Sequence, residues 1–342
     1  MIKVTAYREA SAFDELRDDW IDLLTRSHTN TIFSTWEWHK YWWEAYHPGD
    51  LWILALHAND DRLVGIASMF IEHNETEGRN VRFVGCEDVT DYLDFVIDRD
   101  CMEPVYTAIA EYLAENDEHY DQLMLCNIPE ASPTLEQFNH ILQDQSFTTT
   151  INQQDVCPVI ELPDQFEDYV SALDKRERHE VRRKMRRAEG QRKMGALDWY
   201  IVDETHDINE EIEKFLHLMA ASHPEKAEFL TDQQHVTFFK SLVPATLERG
   251  WLQLAFLVAN DTPISAYLNF DYNDHILVYN SGLDPEGYGH LSPGIVLLAY
   301  CIEHAIELGR EVFDFLRGDE QYKYRMGGKD TAVKQIIAQV QK

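Results

Sequence analysis

The chain has 342 residues of ordinary globular composition, 44% hydrophobic, 12% aromatic and 27% charged, and this length predicts two domains rather than one core. Its formal net charge of −31 excludes general nucleic-acid binding unless one face is locally basic. No apolar run reaches the roughly 18 residues of a membrane span, and the opening segment lacks the basic end and apolar centre of a secretory signal, so a cytoplasmic location is expected. The five cysteines (Cys86, Cys101, Cys126, Cys157 and Cys301) are scattered, with no C-x-x-C pair. Neither structural disulfides nor a metal site is expected from them.

In chain order, residues 3–7 read as a strand, and Phe13, Leu16, Trp20, Leu23 and Leu24 as the apolar face of helical structure. Four tryptophans follow within eight residues (Trp36, Trp38, Trp42 and Trp43), which suits either a core or a ligand-stacking wall. Apolar runs at 51–57 and 63–71, joined by Ala58-Asn59-Asp60-Asp61, carry a hairpin signal. Strands at 81–84 and 92–97, a helix at 103–115 and a strand at 122–126 come next. A helix at 134–143 and an extended crossover at 148–162 complete the first half. The pattern then returns. Runs at 251–258 and 263–270 flank Ala259-Asn260-Asp261, and a strand at 276–279, a helix at 292–308 and a strand at 312–316 follow. Hairpin, strand, helix, strand twice over predicts two copies of one α/β unit with a mixed sheet, occupying 1–160 and 161–342.

Between the copies, residues 174–193 hold ten basic side chains against four acids. On a helix over 175–190, Val181, Met185 and Ala188 form one apolar seam. Arg178, Arg182 and Arg186 line one flank, Arg183 and Arg187 the other, and Gly190 suits the stop. Such rows serve as a solvated charged face, or hold phosphates bidentately. A polyphosphate cofactor, a nucleotide- or undecaprenyl-linked acceptor, or the end of a transfer RNA would each fit the second use.

In the second copy, Ser292 is placed to cap the helix, Pro293 sits where its missing N–H costs nothing, and Gly309 closes it. The loop before it carries Gly282, Gly287 and Gly289, and matches neither a dinucleotide fingerprint nor a Walker loop. Its alternatives are an anion site at the helix N-terminus and a plain surface loop.

Four segments resemble the tandem, Fem-like branch of the GNAT acetyltransferase superfamily, which includes the Fem aminoacyltransferases and CelD-type proteins. They are Phe33-Ser-Thr-Trp-Glu-Trp38, Arg178-His-Glu-Val-Arg-Arg-Lys-Met-Arg-Arg-Ala-Glu-Gly190, Ser292-Pro-Gly294, and Phe313-Asp-Phe-Leu-Arg-Gly-Asp-Glu-Gln-Tyr-Lys323. The resemblance implies two GNAT-like acyl-CoA N-acyltransferase domains with the working site in the second. The donor pyrophosphate would rest on the region 282–294, with Gly289, Ser292 and Gly294 as binding residues and Arg183, Arg187 and Arg317 as further contacts. The usual (Arg/Gln)-x-x-Gly-x-(Gly/Ala) loop is absent, so acyl-CoA (acetyl-CoA) and aminoacyl-tRNA both stand as donors.

Acyl transfer to an amine needs a neutral nucleophile, oxyanion stabilisation and a proton for the leaving group. Lys323 resembles the lysine that follows an aromatic residue near the end of Fem-type enzymes, and would stabilise developing negative charge or hold a phosphate. Tyr322 would protonate the leaving group. Asp319 and Glu320 are candidates for the general base. Asp314 is either catalytic or half of a buried pair with Arg317 or Arg325. His290 and His223 are lesser candidates. Nothing resembles a nucleophile elbow, so direct attack in a ternary complex is expected. The acceptor would be an amine on a small molecule, polysaccharide or cell-envelope precursor. The alternatives are a Fem-type aminoacyltransferase and a non-catalytic protein that binds a phosphorylated ligand.

Overall fold

The computed structural model describes residues 2–86 and 89–340, which divide into two compact units, Met1–Val156 with Thr331–Lys342, and Cys157–Asp330. The chain crosses from the first unit to the second within one strand and returns within the last. The C-terminal strand thus counts with the first unit instead of closing the second, because its backbone pairs with a first-unit strand.

The first unit runs β1 (Lys3–Tyr7), α1 (Ser11–Arg26), α2 (Trp36–Tyr46), β2 (Gly49–His57), β3 (Leu63–Asn74), β4 (Gly78–Phe83), β5 (Val96–Ile97), α3 (Met102–Glu115), β6 (Gln122–Pro129), α4 (Gln137–Asp144) and the start of β7 (Phe147–Glu161). The second runs α5 (Phe166–Ala172), α6 (Lys175–Lys193), β8 (Leu197–Ile201), α7 (Ile208–Ser222), α8 (Pro224–Phe229), α9 (Gln233–Glu248), β9 (Leu252–Ala259), β10 (Thr262–Tyr272), β11 (His275–Leu283), α10 (Pro293–Glu307), β12 (Val312–Asp314) and α11 (Gln321–Arg325), before β13 (Lys329–Val340).

Each unit repeats one plan. A strand and helices lead to an antiparallel meander, then a helix carries the chain over to a parallel neighbour. In the first unit the meander is β2–β3–β4 and the parallel pair is β4 with β6. In the second it is β9–β10–β11, and the parallel pair is β11 with β12. The second hairpin turns through Asn260 and Asp261, both at positive φ (47° and 63°). Asn and Asp tolerate that conformation better than other non-glycine residues, which is why a short Asn-Asp link marks a hairpin.

The tryptophans of α2 are core residues, all four buried in the first unit. Thr35 starts this helix by accepting from the Trp38 amide, and the Trp38 indole donates to Thr90 Oγ1 at 2.9 Å. The segment 89–95 lies where β4 and β6 part: Leu93 N donates to Asn127 O at 2.9 Å, and Asn127 Nδ2 to Thr90 O at 2.8 Å. Cys86 and Cys126 form a disulfide at the same place, contrary to the expectation of none. The pair is forty residues apart in sequence, so only the parallel strand register brings it together.

In the second unit the core seam of α6 is Val181 and Ala188, with Met185 half-buried, as the spacing predicts. The helix does not stop at Gly190 but continues to Lys193, and Gly195 follows at φ 70°. A mid-helix glycine costs only about 1 kcal/mol, and nothing lies within 4 Å of where its Cβ would be, so no packing forces a break there. Among the described residues, no helix is long and apolar enough to cross a membrane, and no cluster of three or more His, Cys, Asp or Glu could hold a metal.

Candidate functional site

The site is built on a break in the strand pairing of the second unit. Strands β11 and β12 pair through only three positions, His275–Val312, Ile276–Phe313 and Leu277–Asp314. Past these, β11 continues to Leu283 while β12 ends, and a register shift opposite Leu268 and Asn269 of β10 leaves Tyr279 as an extra residue in β11. Such a bulge twists and bends the strand that carries it. The far half of β11 therefore has β10 on one edge and no β12 on the other.

The chain beyond β12 is held in a tight knot. Asp314 is buried, and its Oδ1 accepts from the Leu316 amide at 2.7 Å. Leu316 has φ 58° and Gly318 φ 112°, so the backbone turns sharply away from the sheet. Lys323, only 2% exposed, reaches back into that turn. Its Nζ donates to the carbonyls of Leu316 (3.1 Å), Arg317 (2.6 Å) and Gly318 (3.1 Å), and pairs with Glu320 at 2.9 Å. Three carbonyls and a carboxylate use the full donor capacity of an ammonium. Arg317 is half-buried on the same turn, and Asp319 is exposed at its tip.

Tyr322 lies against the Phe315 ring, 6.1 Å away and nearly perpendicular to it. Burial, reinforced by Glu320, raises its phenol well above the usual tyrosine range. It therefore stays protonated and able to donate at any ordinary pH. Tyr267 of β10 is its neighbour and is raised likewise, by burial first and then by Tyr322. The Tyr267 hydroxyl in turn lies 4.0 Å from where a Cβ on Gly294 would be, which brings this tyrosine pair to the first turn of α10.

That first turn is uncapped by any side chain. Ser292 stands before Pro293 at φ 55°, in the left-handed region, and its hydroxyl accepts nothing from the helix. The expected cap is thus corrected: the left-handed backbone directs the side chain away from the amides that a cap must reach, although the Ser292 carbonyl still accepts from Val296 N at 3.0 Å. Gly289 opens a short 3-10 turn ahead of it, with nothing within 4 Å of its Cβ position.

The basic helix contributes one arginine here. Arg187 Nη1 donates to the carbonyl of His290 in that turn, which places its guanidinium beside the start of α10. Arg183, one turn earlier, is committed to Glu180 by a 2.7 Å hydrogen bond that also holds that carboxyl below its usual range. Arg178 and Arg182 face α5 instead, bonding the Ser171 carbonyl and Glu167 respectively. The two arginine rows thus have separate tasks. A groove of about 490 Å³ against the far half of α10, lined in part by Arg186, Trp199, Tyr300 and Glu303, takes none of the expected site residues.

One side chain of the cleft has no counterpart in the sequence reading. Lys226 of α8 sends its Nζ to Asn280 Oδ1 (2.9 Å) and Ser281 O (2.6 Å), on the half of β11 that lacks β12. Burial lowers its ammonium to about 8, against a smaller opposing pull from Glu320. Glu320 is thus a common neighbour of Lys226, Tyr322 and Lys323. No motif marks Lys226, which lies in a short helix amid exposed acids; its burial comes wholly from tertiary packing. His223 only caps α8, accepting from Glu225 N at 3.3 Å.

The second unit's helix position is tied to one glycine. Gly282 of β11 lies under α7 so closely that a Cβ would stand 2.3 Å from Met219 N and 2.4 Å from the Leu218 carbonyl carbon. Only glycine allows that approach, and α7 leads directly into α8 and Lys226.

The family model described as an acetyltransferase (GNAT) domain matches residues 175–324. No curated protein matches the chain. Among solved structures the chain is similar to FemX, with a TM-score of 0.64 at 10% identity, covering 98% of this chain and 96% of that one. It is also similar to a conserved protein of unknown function from Bacteroides thetaiotaomicron, with a TM-score of 0.58 at 12% identity over 99% and 100% of the two chains. L-PGS from Bacillus licheniformis aligns with a TM-score of 0.56 at 9% identity over 94% and 91%. Residues 175–324 therefore carry the match to the acetyltransferase (GNAT) domain model, and the chain as a whole shares its fold with FemX.

Proposed function

We propose that the protein is an N-acyltransferase that moves an acyl group from acyl-CoA to an amine of a small molecule, polysaccharide or cell-envelope precursor. The observation that carries this reading is the cleft where β11 and β12 part, with the uncapped first turn of α10 beside it. An open strand edge offers amide and carbonyl groups to the extended arm of a donor, and free helix amides suit its pyrophosphate. Gly289, Ser292 and Gly294 supply that backbone, and Arg187 adds a cation at the same turn. Arg183 and Arg317 stand further out, the first engaged with Glu180.

In this reading Tyr322, always protonated, gives its proton to the departing thiolate, with Tyr267 beside it. Asp319, exposed at the turn, takes the proton of the incoming amine. Lys323 and Asp314 act by position: they hold the turn at 316–318 that keeps the cleft open. The amine attacks the thioester directly, and no enzyme-bound intermediate is required.

A second reading, an aminoacyl-tRNA donor, is favoured by one observation, the ten basic residues of 174–193 in a chain of net charge −31. The two readings part on salt and ligand. Saturating acetyl-CoA, at about a hundred times its dissociation constant, is expected to stabilise the protein by about 2.7 kcal/mol in thermal unfolding. Arg187→Ala should weaken that binding about tenfold, whereas Arg183→Ala should change it little. Indifference to acetyl-CoA, with steeply salt-dependent binding of aminoacyl-tRNA, would favour the second reading over the first.

A further inference from the structure

We propose that Lys226 is a self-acylation site: with no acceptor amine present, a bound acyl thioester transfers its acyl group to Lys226 Nζ. The inference rests on the acyl-CoA reading and adds to it a covalent fate for one residue of the cleft. Two observations place the nucleophile. Nζ sits within hydrogen-bond distance of Asn280 and Ser281, on the half of β11 that has no β12 neighbour. Glu320, on the turn beyond β12, is near enough for its charge to act on the Lys226 ammonium. Lys226 thus borders the open half of β11, along which the thioester would lie.

The two lysines of this cleft, Lys323 buried and Lys226 half-buried, differ in the property that matters for attack. Lys323 Nζ donates to three carbonyls, pairs with a carboxylate and belongs to a residue only 2% exposed, so it has no free approach to a thioester. Lys226 has fewer such acceptors for its burial, so its free-amine form is populated near pH 8. At that pH about half of Lys226 is free amine, against roughly one in three hundred for an ordinary exposed lysine. The step balances without any further reagent. The Nζ lone pair forms the bond to the thioester carbonyl carbon, and the C–S bond breaks with its electrons going to sulfur. One Nζ proton passes to that thiolate, so amine and acyl-CoA become amide and free thiol. Acylation then removes the positive charge near Glu320 and leaves a neutral amide in the cleft.

The test uses the full chain with acetyl-CoA alone, read by intact mass and by peptide mapping. The expected result is one acetyl group per chain, on Lys226, appearing at least about tenfold faster than on the exposed Lys214 and Lys240, with Lys323 unmodified. Its rate should rise about tenfold per pH unit up to pH 8 and then level. Lys226→Arg should abolish it. If acetyl-CoA raises the melting temperature yet Lys226 stays unmodified, or acetyl spreads over exposed lysines equally in Lys226→Arg, the inference fails and the acyl-CoA reading stands. If acetyl-CoA gives neither a shift nor acetylation, both fall.

Discussion

Replacing Lys323 by methionine is expected to destabilise the second unit by about 2–3 kcal/mol, because it leaves three carbonyls of the turn without their donor, whereas Glu320 is exposed to water. The side chain is of similar length, so little of the loss comes from packing volume. Lys323→Arg should recover less than half of it, since a planar guanidinium cannot aim donors at three carbonyls grouped around one point. Urea unfolding, followed by a probe in the second unit, gives the size. A loss below about 1 kcal/mol would mean that the ammonium is not holding the turn at 316–318, and would return Lys323 to the direct catalytic role that its place in the sequence suggests.

The second large effect is at Gly282. Gly282→Ala puts a methyl group 2.3 Å from Met219 N, and backbone cannot yield as a flexible side chain does. Helix α7 must shift off β11, at an expected cost of about 3 kcal/mol. The shift also carries α8, so Lys226 should lose its bonds to Asn280 and Ser281. Gly294→Ala is the useful contrast: its new methyl would meet Leu283 Cδ2 at an ordinary 3.4 Å, and stability should change by less than about 0.5 kcal/mol. If Gly282→Ala proves equally mild, the close approach of α7 does not set the position of the cleft.

How far these features could be read in advance depended on whether their cause is local. Helix α10, expected over 292–308, spans Pro293–Glu307, because Pro293 and Gly309, the latter at φ 69°, are local signals for its two ends. The duplication was legible through its hairpins, whose alternation and Asn-Asp turns are also local. The left-handed Ser292 was not, since serine at that position normally caps. Nor was the three-residue pairing of β11 with β12, which is set by a bulge in one strand and the knot after the other. Lys226 was hidden for the same reason: a lysine among acids on a six-residue helix reads as surface, and only packing against β11 half-buries it. The Cys86–Cys126 pair likewise follows from strand register and not from cysteine spacing.

In the proposed reading the donor lies along the open half of β11 and against the first turn of α10. Hydrogen–deuterium exchange with and without saturating acetyl-CoA tests it most directly. Slowed exchange is expected in the segments 278–283 and 289–296, with the first unit's corresponding stretch at 81–86, where Leu93 and Thr90 pack against Gly85, unchanged. Protection of 81–86 with none at 289–296, or no protection anywhere, would contradict it.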